Sequence, residues 1–199
     1  MITYVVDTNF FVNLQRTLNL GKNKEEVVEN FINLVREAVR AEKCEFLTTP
    51  DVAKEIQSFF GTNKALVDKL MGVVTITSPG MSDIHLDATL FYDLVNEIGI
   101  RLYRGLRVAE EPIKEILAQK LPNTPDIAQT YVGALRDKYR RTTREGFLDS
   151  TTDLGLILLA KERNATLVTS DNGLLLWARK FGCKEMTPEL LAQKIKSLG

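Results

Sequence analysis

The sequence predicts an α/β fold, because short β-branched runs alternate with helical segments at both ends of the chain. This alternation is typical of parallel strands joined by helices that flank the sheet. The middle breaks the alternation, since residues 82–144 show helical periodicity and no convincing strand. We therefore predict an α/β domain, residues 1–81 and 145–199, with an inserted, protruding helical hairpin at residues 82–144.

The predicted strands are four short runs rich in β-branched or other apolar residues. The first, Ile2–Val6, ends at Asp-Thr-Asn, and the third ends at Ser-Pro-Gly; both are combinations that favour turns. The four strands are expected at residues 2–6, 45–48, 73–77 and 165–169.

The predicted helices of the α/β domain are amphipathic segments, several with recognisable start signals. Two Thr-Pro pairs, Thr49-Pro50 and Thr187-Pro188, predict a threonine N-cap followed by proline at the first helical position. The helices are expected at residues 24–41 and 50–59, around 154–160, at 173–181, and from 188 onward.

The insertion is predicted to be two helices joined by a turn. Apolar residues recur at helical spacing from Phe91 to Ile116, and again from Ile127 to Tyr139. Between them the sequence LPNTP, residues 121–125, predicts a turn. Pro112 is expected to start a new helix or to kink the first one, because proline cannot donate a helical hydrogen bond.

Composition indicates an ordinary soluble protein and leaves the function open. The 199 residues include 26 basic and 26 acidic ones, so net charge gives no sign of a nucleic-acid partner. We find no secretory signal and no apolar run long enough to span a bilayer, so we expect a cytoplasmic protein without membrane contact. Cys44 and Cys183 are too few and too far apart for a disulfide or zinc framework.

Four aspartates are placed where they could form one site. Asp7 and Asp171 each follow a predicted strand, and ligand sites in parallel α/β sheets form beyond the carboxyl ends of strands. Asp149 and Asp153 lie four residues apart at a helix start, so their carboxylates can share one face. Each aspartate alone could also be a turn, cap or first-turn residue. The joint pattern predicts an acidic cluster.

An acidic cluster of this kind predicts a bound divalent cation. Crowded carboxylates repel one another, and their pKa values rise unless a cation neutralises them. Mg²⁺ or Mn²⁺ prefers oxygen ligands and is commonly completed by a substrate phosphate. Such an ion lowers the pKa of bound water and stabilises charge on a departing oxygen. The sequence therefore predicts a phosphodiesterase that needs no covalent nucleophile.

Other chemistries find little support in the sequence. The single histidine, His85, would have to serve any Ser-His-Asp triad, and no nucleophile elbow is present. The chain also has no phosphate-binding Walker loop and no GxGxxG motif.

The motifs that carry these acids resemble those of the PIN-domain ribonucleases. They are VVDTN near the N-terminus, TPDVAKEI after the second predicted strand, and the spacing from Asp153 through TLVTS to Asp171. Three features restrict the resemblance to one family of these ribonucleases: the length, the central helical insertion and the paired acids of FLDSTTD. The chain resembles, from end to end, the minimal protein-only (RNA-free) ribonuclease P family of bacteria and archaea, formerly called RNA ligase partner proteins.

This resemblance implies Mg²⁺-dependent removal of the 5′ leader of precursor tRNA, with no RNA subunit and with a 5′-phosphate product. The catalytic, metal-binding acids of the family correspond to Asp7, Asp149, Asp153 and Asp171. Glu55 takes the place of a further acid found in many PIN domains. Thr8, Asn9 and Ser170 could orient the carboxylates. Gly155 stands where the resemblance implies a further acid in some relatives, so the departure bears on a fifth carboxylate and not on these four.

The insertion has the charge expected of an RNA-binding surface. Residues 101–146 contain ten basic and six acidic residues, whereas the whole chain is neutral. A basic hairpin beside an acidic pocket suits a phosphate backbone held next to a metal site. The alternative for any single arginine is a solvated helix face. The candidate RNA-binding residues are Arg101, Arg104, Arg107, Arg136, Lys138, Arg140, Arg141 and Arg144.

The insertion also carries apolar residues on more than one side, which two helices cannot bury against each other. We therefore expect a homo-oligomer assembled through it, and the family resemblance implies the same.

Two other functions stay open at this point. A toxin-like PIN ribonuclease that cuts other RNAs is one, although toxin-type domains are usually shorter and lack the hairpin. A non-catalytic RNA-binding module on the same scaffold is the other, although such modules typically lose acids that are present here.

Overall fold

The computed structural model describes residues 1–13, 20–82, 84–119, 125–144, 146–148 and 150–196. The chain forms two compact units. The first consists of Met1–His85 and Leu148–Gly199, and the second of Leu86–Phe147.

The first unit is built on a sheet of five parallel strands in the order β3-β2-β1-β4-β5. Residues Tyr4 and Val5 of the central strand pair with β2 on one side and with β4 on the other. The strands are β1 (Ile2–Val6), β2 (Cys44–Thr48), β3 (Thr75–Ile76), β4 (Thr166–Val168) and β5 (Lys184–Met186).

Helices cover both faces of this sheet. The connection from β1 to β2 and the one from β4 to β5 run toward opposite edges. Because parallel crossovers are right-handed, their helices lie on opposite faces. The helices of this unit are α1 (Asn9–Val12), α2 (Lys24–Arg40), α3 (Pro50–Phe59), α4 (Lys64–Met71), α7 (Thr151–Glu162), α8 (Asn172–Lys180) and α9 (Pro188–Lys196).

Aromatic side chains fill the core beneath β1 and β2. Tyr4 stacks on Phe46, with ring centroids 5.3 Å apart, and Phe31 of α2 meets Phe46 edge-to-face at 5.2 Å. Phe10 and Phe11 of α1 also pack edge-to-face on Phe31. The short helix that follows Asp7 is therefore held by a fully buried aromatic cluster, which fixes the chain directly after β1.

The second unit is a pair of packed helices, α5 (Ala88–Gln119) and α6 (Pro125–Arg144). They approach closely at Gly105, where an added Cβ would lie 2.8 Å from the Tyr139 ring and 3.0 Å from the Thr143 methyl group. Helix α5 runs through Pro112. Of the two expected alternatives, a new helix at Pro112 is therefore excluded and a kink stays a prediction, because a proline costs a long helix one hydrogen bond without necessarily ending it. The predicted turn at residues 121–125 lies almost entirely outside the described residues.

The predicted fold class, a parallel sheet flanked by helices with inserted helices, is confirmed. Both Thr-Pro starts are confirmed as helix starts, and the Thr49 hydroxyl caps α3 by accepting from the Val52 N–H at 3.4 Å. The sequence prediction missed α1, α4 and the edge strand β5. The sequence of β5, Lys-Glu-Met, has no apolar run, as is common for protected edges.

Within the described residues, no helix combines the length and the apolar character needed to cross a membrane.

Candidate active site

The candidate site lies where the strand order of the sheet reverses. Connections leave β1 and β4 toward opposite edges, and such switch points open a crevice at the carboxyl ends of the strands. Asp7 follows β1, and its backbone N–H donates to the carbonyl of Val168, the last residue of β4, at 3.3 Å. Asp171 comes three residues after Val168. Neighbouring strands thus deliver these two acids to one edge.

The Asp7 carboxylate is buried and held by neighbouring donors. Only 3% of the surface of Asp7 is exposed to solvent. Thr169 Oγ1 donates to Asp7 Oδ2 at 2.7 Å, and both the side chain and the backbone N–H of Asn9 donate to the carboxylate. Burial raises the pKa of Asp7 above its ordinary value, and the negative charge of nearby Asp171 raises it further. These hydrogen bonds oppose that rise without cancelling it.

Thr169 joins Asp7 to Asp171. Its fully buried hydroxyl donates to Asp7 and accepts from the backbone N–H of Asp171 at 3.0 Å. Asp171 itself is the N-cap of α8, since its Oδ1 accepts from the Leu174 N–H at 2.9 Å. Asp171 therefore caps α8, and its negative charge also raises the pKa of Asp7.

Glu55 reaches the same edge from α3. Thr8 Oγ1, one residue after Asp7, donates to Glu55 Oε2 at 2.7 Å. On the side of β4, Asn13 Nδ2 donates to Ser170 Oγ at 3.1 Å. Of the three residues predicted to orient the carboxylates, Asn9 contacts Asp7, Thr8 contacts Glu55, and Ser170 contacts Asn13.

Asp153 lies in the first turn of α7, whose N-cap is Ser150. The Ser150 hydroxyl accepts from the Thr152 N–H at 3.1 Å. Two residues after Asp153, an added Cβ on Gly155 would lie 3.7 Å from the Thr49 methyl group, just past the carboxyl end of β2. The start of α7 is thus at the same edge of the sheet as Asp7. Asp149 lies outside the described residues.

Among the residues that the structure describes, no group of three or more His, Cys, Asp or Glu side chains could hold a metal ion. The structure brings Asp7, Asp171 and Glu55 to one neighbourhood through Thr169 and Thr8. The oxygen donors of this neighbourhood have the chemistry that Mg²⁺ and Mn²⁺ prefer.

The predicted RNA-binding residues differ in their surroundings. Arg101 is only 11% exposed at its side chain and is engaged within the helix pair. Arg104 and Arg107 line a groove of about 650 Å³ on α5 together with Tyr103. Lys138 forms an ion pair with Glu111 across the two helices, and this pair lowers the pKa of Glu111.

The remaining predicted basic residues lie on α6. Arg136 and Arg140 line a depression of about 260 Å³ together with Leu135 and Tyr139. Arg141 and Arg144 occupy the last turn of the helix, where a positive charge also stabilises the helix dipole.

The sequence analysis did not identify Thr169, whose hydroxyl contacts both Asp7 and Asp171. The signal was available, because a buried hydroxyl two residues before an acid at the end of a parallel strand can contact the neighbouring strand end. Asn13, which contacts Ser170, carried no comparable signal.

Comparison with known proteins identifies the family of the chain. The family model of the PINc domain ribonucleases matches residues 3–198 of the chain. It therefore spans both units and includes all four predicted metal-binding aspartates.

Individual relatives show to which group of PINc domain ribonucleases the chain belongs. The chain is 36% identical over 185 residues to an RNA-free ribonuclease P of Thermodesulfovibrio yellowstonii, covering 93% of this chain and 89% of the relative. It is 33% identical to that of Thermococcus onnurineus, covering 91% and 87%, and 31% identical to that of Thermococcus kodakarensis, covering 98% and 94%. The chain belongs to the PINc domain ribonucleases and, among them, to the RNA-free ribonuclease P family. It is accordingly an endoribonuclease.

Proposed function

We propose that this protein removes the 5′ leader of precursor tRNA by hydrolysis of a phosphodiester bond, leaving a 5′-phosphate, and that it does so without an RNA subunit. The observation that carries the proposal is the similarity to RNA-free ribonuclease P proteins over nearly the full length of both chains. The acids at the switch point of the sheet supply a suitable place for the reaction.

We propose further that Asp7, Asp149, Asp153 and Asp171 hold Mg²⁺, with Mn²⁺ as a possible substitute. Support comes from Asp7, a buried carboxylate whose pKa is raised by burial and by Asp171, and whose negative charge a cation would offset. A bound divalent ion supplies a more acidic water and charge stabilisation on the departing oxygen. The role of the protein is to present the carboxylates in fixed orientations: Thr169 and Asn9 fix Asp7, and the α8 cap fixes Asp171.

The helix pair is proposed to bind the RNA backbone. Arg104 and Arg107 lie along one groove and Arg136 and Arg140 along another depression, so basic groups line both helices. A-form RNA is recognised largely through its phosphates and shape, which such rows of arginines suit. Because Arg101 is engaged in internal contacts, the proposal depends on the other basic residues rather than on this one.

The helix pair is also proposed to be the surface through which copies of the chain assemble. Contiguous exposed apolar side chains are rare on the surface of a protein that stays monomeric. Seven large apolar or aromatic side chains of α5 are more than half exposed in the single chain: Phe91, Tyr92, Val95, Leu102, Tyr103, Leu106 and Ile113. Sedimentation of the purified protein tests this, and a monomer at micromolar concentration would contradict it.

Cleavage of a 5′-extended precursor tRNA in the presence of Mg²⁺ tests the proposed function. The expected product is a single cut that gives a mature 5′ end carrying a phosphate. Scattered or anticodon cuts would instead indicate a toxin-like ribonuclease. Asp153→Asn should abolish cleavage and retain RNA binding, whereas equal cleavage by wild type and variant would mean that the acids do not carry the reaction.

A further inference from the structure

Phe59, in the last turn of α3, is an exposed aromatic residue in a unit whose other described aromatic residues are buried. Its exposed fraction is 54%, whereas every other phenylalanine, tyrosine and tryptophan that the structure describes in the first unit is at most 6% exposed. Aromatic rings are large apolar groups that usually contribute to a core by being buried in it. Phe59 takes no part in the core, and its ring is accessible to a molecule from outside.

A cation lies over the Phe59 ring. Lys24, the first residue of α2, places its Nζ 5.1 Å from the ring centroid, a distance at which a cation and an aromatic face attract each other. None of the ion pairs among the described residues involves Lys24. The Lys24–Phe59 pair thus combines an accessible ring with an ammonium group that has three hydrogen-bond donors.

This pair lies one helical turn from the candidate active site. Glu55 precedes Phe59 by four residues on α3, so the two side chains share one face of the helix, with their Cβ atoms about 5–6 Å apart. Glu55 Oε2 accepts from Thr8 Oγ1 at 2.7 Å, and Thr8 directly follows Asp7. All of these residues belong to the first unit. An RNA strand held at these acids therefore has the Lys24–Phe59 pair within reach of its neighbouring nucleotides.

A ring beside a cation has the chemistry that binds single-stranded RNA. Unpaired bases stack on aromatic side chains with little regard to sequence, while a cation attracts the adjoining phosphate. Bases within a helical stem are already stacked on one another and are not available to such a ring. In the proposed substrate, the unpaired segment that begins at the cut is the 5′ leader.

We propose that the Lys24–Phe59 pair binds the unpaired 5′ leader of precursor tRNA: a leader base stacks on the Phe59 ring, and the adjoining phosphate contacts the Lys24 ammonium group. This proposal rests on the proposed function. It gives the first unit an RNA contact of its own, separate from the arginines of the helix pair. The protein thereby binds a precursor that carries a leader more tightly than the mature tRNA that it releases.

The test compares Phe59→Ala with Leu190→Ala. Leu190 is an exposed apolar residue of the same unit, on α9, and its exposed fraction of 53% matches that of Phe59. For each protein the Kd is measured in chelator, where no metal supports cleavage, for precursor tRNA and for the same tRNA without its leader. A further set of precursors carries a single abasic residue at successive leader positions, starting next to the cut.

Phe59→Ala should raise the Kd for the precursor about 5- to 10-fold and leave the Kd for leaderless tRNA unchanged, because it removes the platform for one stacked base. Phe59→Trp should keep the wild-type affinity, and Leu190→Ala should change neither Kd. An abasic residue at the stacked position should weaken binding to the wild type by the same factor and have no effect on Phe59→Ala. Additive losses overturn the proposal, and so does a Phe59→Ala variant that binds the precursor as tightly as the wild type does.

Lys24→Gln tests the phosphate contact. It should weaken binding of the precursor about 2- to 5-fold and reduce the slope of log Kd against log salt concentration by about one, whereas Lys24→Arg should keep both the affinity and the slope. A Lys24→Gln variant with the wild-type slope overturns this part of the proposal.

The unpaired 3′ end of the same stem is the alternative occupant of the pair. If Phe59→Ala loses affinity equally for the precursor and for leaderless tRNA, and the loss disappears when the 3′ end is trimmed, the assignment to the leader is overturned. All of these measurements are of binding, so they decide the role of the pair whether or not the protein cuts precursor tRNA. Failure of the wild type to cut in Mg²⁺ contradicts the proposed function alone.

Discussion

Thr169 and Asp7 form a buried hydrogen bond in which the hydroxyl of one strand end holds the carboxylate of the next. Thr169 Oγ1 donates to Asp7 Oδ2 at 2.7 Å, and the same oxygen accepts from the Asp171 N–H at 3.0 Å. A hydroxyl has one proton, so its donation to Asp7 fixes the direction of both bonds. Thr169 thereby couples the orientations of two acids that are 164 positions apart in the chain.

Thr169→Val should damage both stability and activity. Valine has nearly the same shape but leaves a buried carboxylate oxygen and the Asp171 N–H without this partner, which costs about 1–3 kcal/mol of unfolding free energy. Loss of a group that orients a metal ligand typically lowers metal affinity or activity by about 10- to 100-fold. Urea unfolding and cleavage of precursor tRNA measure the two effects. Thr169→Ser, which keeps the hydroxyl, is the control and should recover most of both.

Asp7→Asn should stabilise the metal-free protein at neutral pH. Because burial raises the pKa of Asp7 above 3.8, the folded protein binds more protons than the unfolded chain between that value and the raised one. Stability therefore falls as pH rises through this window and remains lower above it, by about 1.4 kcal/mol for each unit of the pKa rise. Asparagine carries no charge to bury and can still accept from Thr169.

Thermal melts in chelator and in Mg²⁺ check this prediction. In chelator the Asp7→Asn variant should melt at a higher temperature than the wild type at pH 7, and the difference should shrink toward pH 4. Mg²⁺ should raise the melting temperature of the wild type more than that of the variant, since binding to the folded state stabilises it. A variant that melts lower than the wild type in chelator would contradict the assignment of a buried, unneutralised carboxylate.

The sequence was sufficient for those parts of the fold that local patterns determine. Apolar periodicity and the Thr-Pro caps located the described helices other than α1 and α4, and β-branched runs located four strands. It was insufficient where tertiary contacts decide, as for β5, a three-residue edge strand held by pairing with β4. The same holds for the surroundings of Arg101, whose contacts with Glu97, Thr143 and Phe147 form only once the helices pack. The predicted contact of Arg101 with RNA stays a prediction.

Tyr4→Phe should leave stability unchanged or raise it slightly. Tyr4 is fully buried, and within the described part of the chain its hydroxyl has no hydrogen-bond partner. Phenylalanine keeps the stacking on Phe46 and removes a desolvated polar group. Tyr4→Leu, which loses the ring, should cost about 1–3 kcal/mol. Unfolding in urea measures both changes, and a loss above about 1 kcal/mol in Tyr4→Phe would reveal a partner for the hydroxyl.

Gly105→Ala should loosen the helix pair, although alanine is ordinarily the better helix former. The added Cβ would lie 2.8 Å from Tyr139 Cε2 and 3.0 Å from Thr143 Cγ2, so the tyrosine ring or the α6 backbone has to move. Overpacking of this kind costs about 1–3 kcal/mol, more than the gain of up to about 1 kcal/mol from helix propensity. Gly133→Ala is the matched control, because nothing lies within 4 Å of its added Cβ, and it should gain that propensity. Amide hydrogen exchange in α5 and α6 measures the effect of both substitutions. We expect faster exchange for Gly105→Ala and equal or slower exchange for Gly133→Ala. Faster exchange in both variants would mean that the contact with Tyr139 does not hold the pair together.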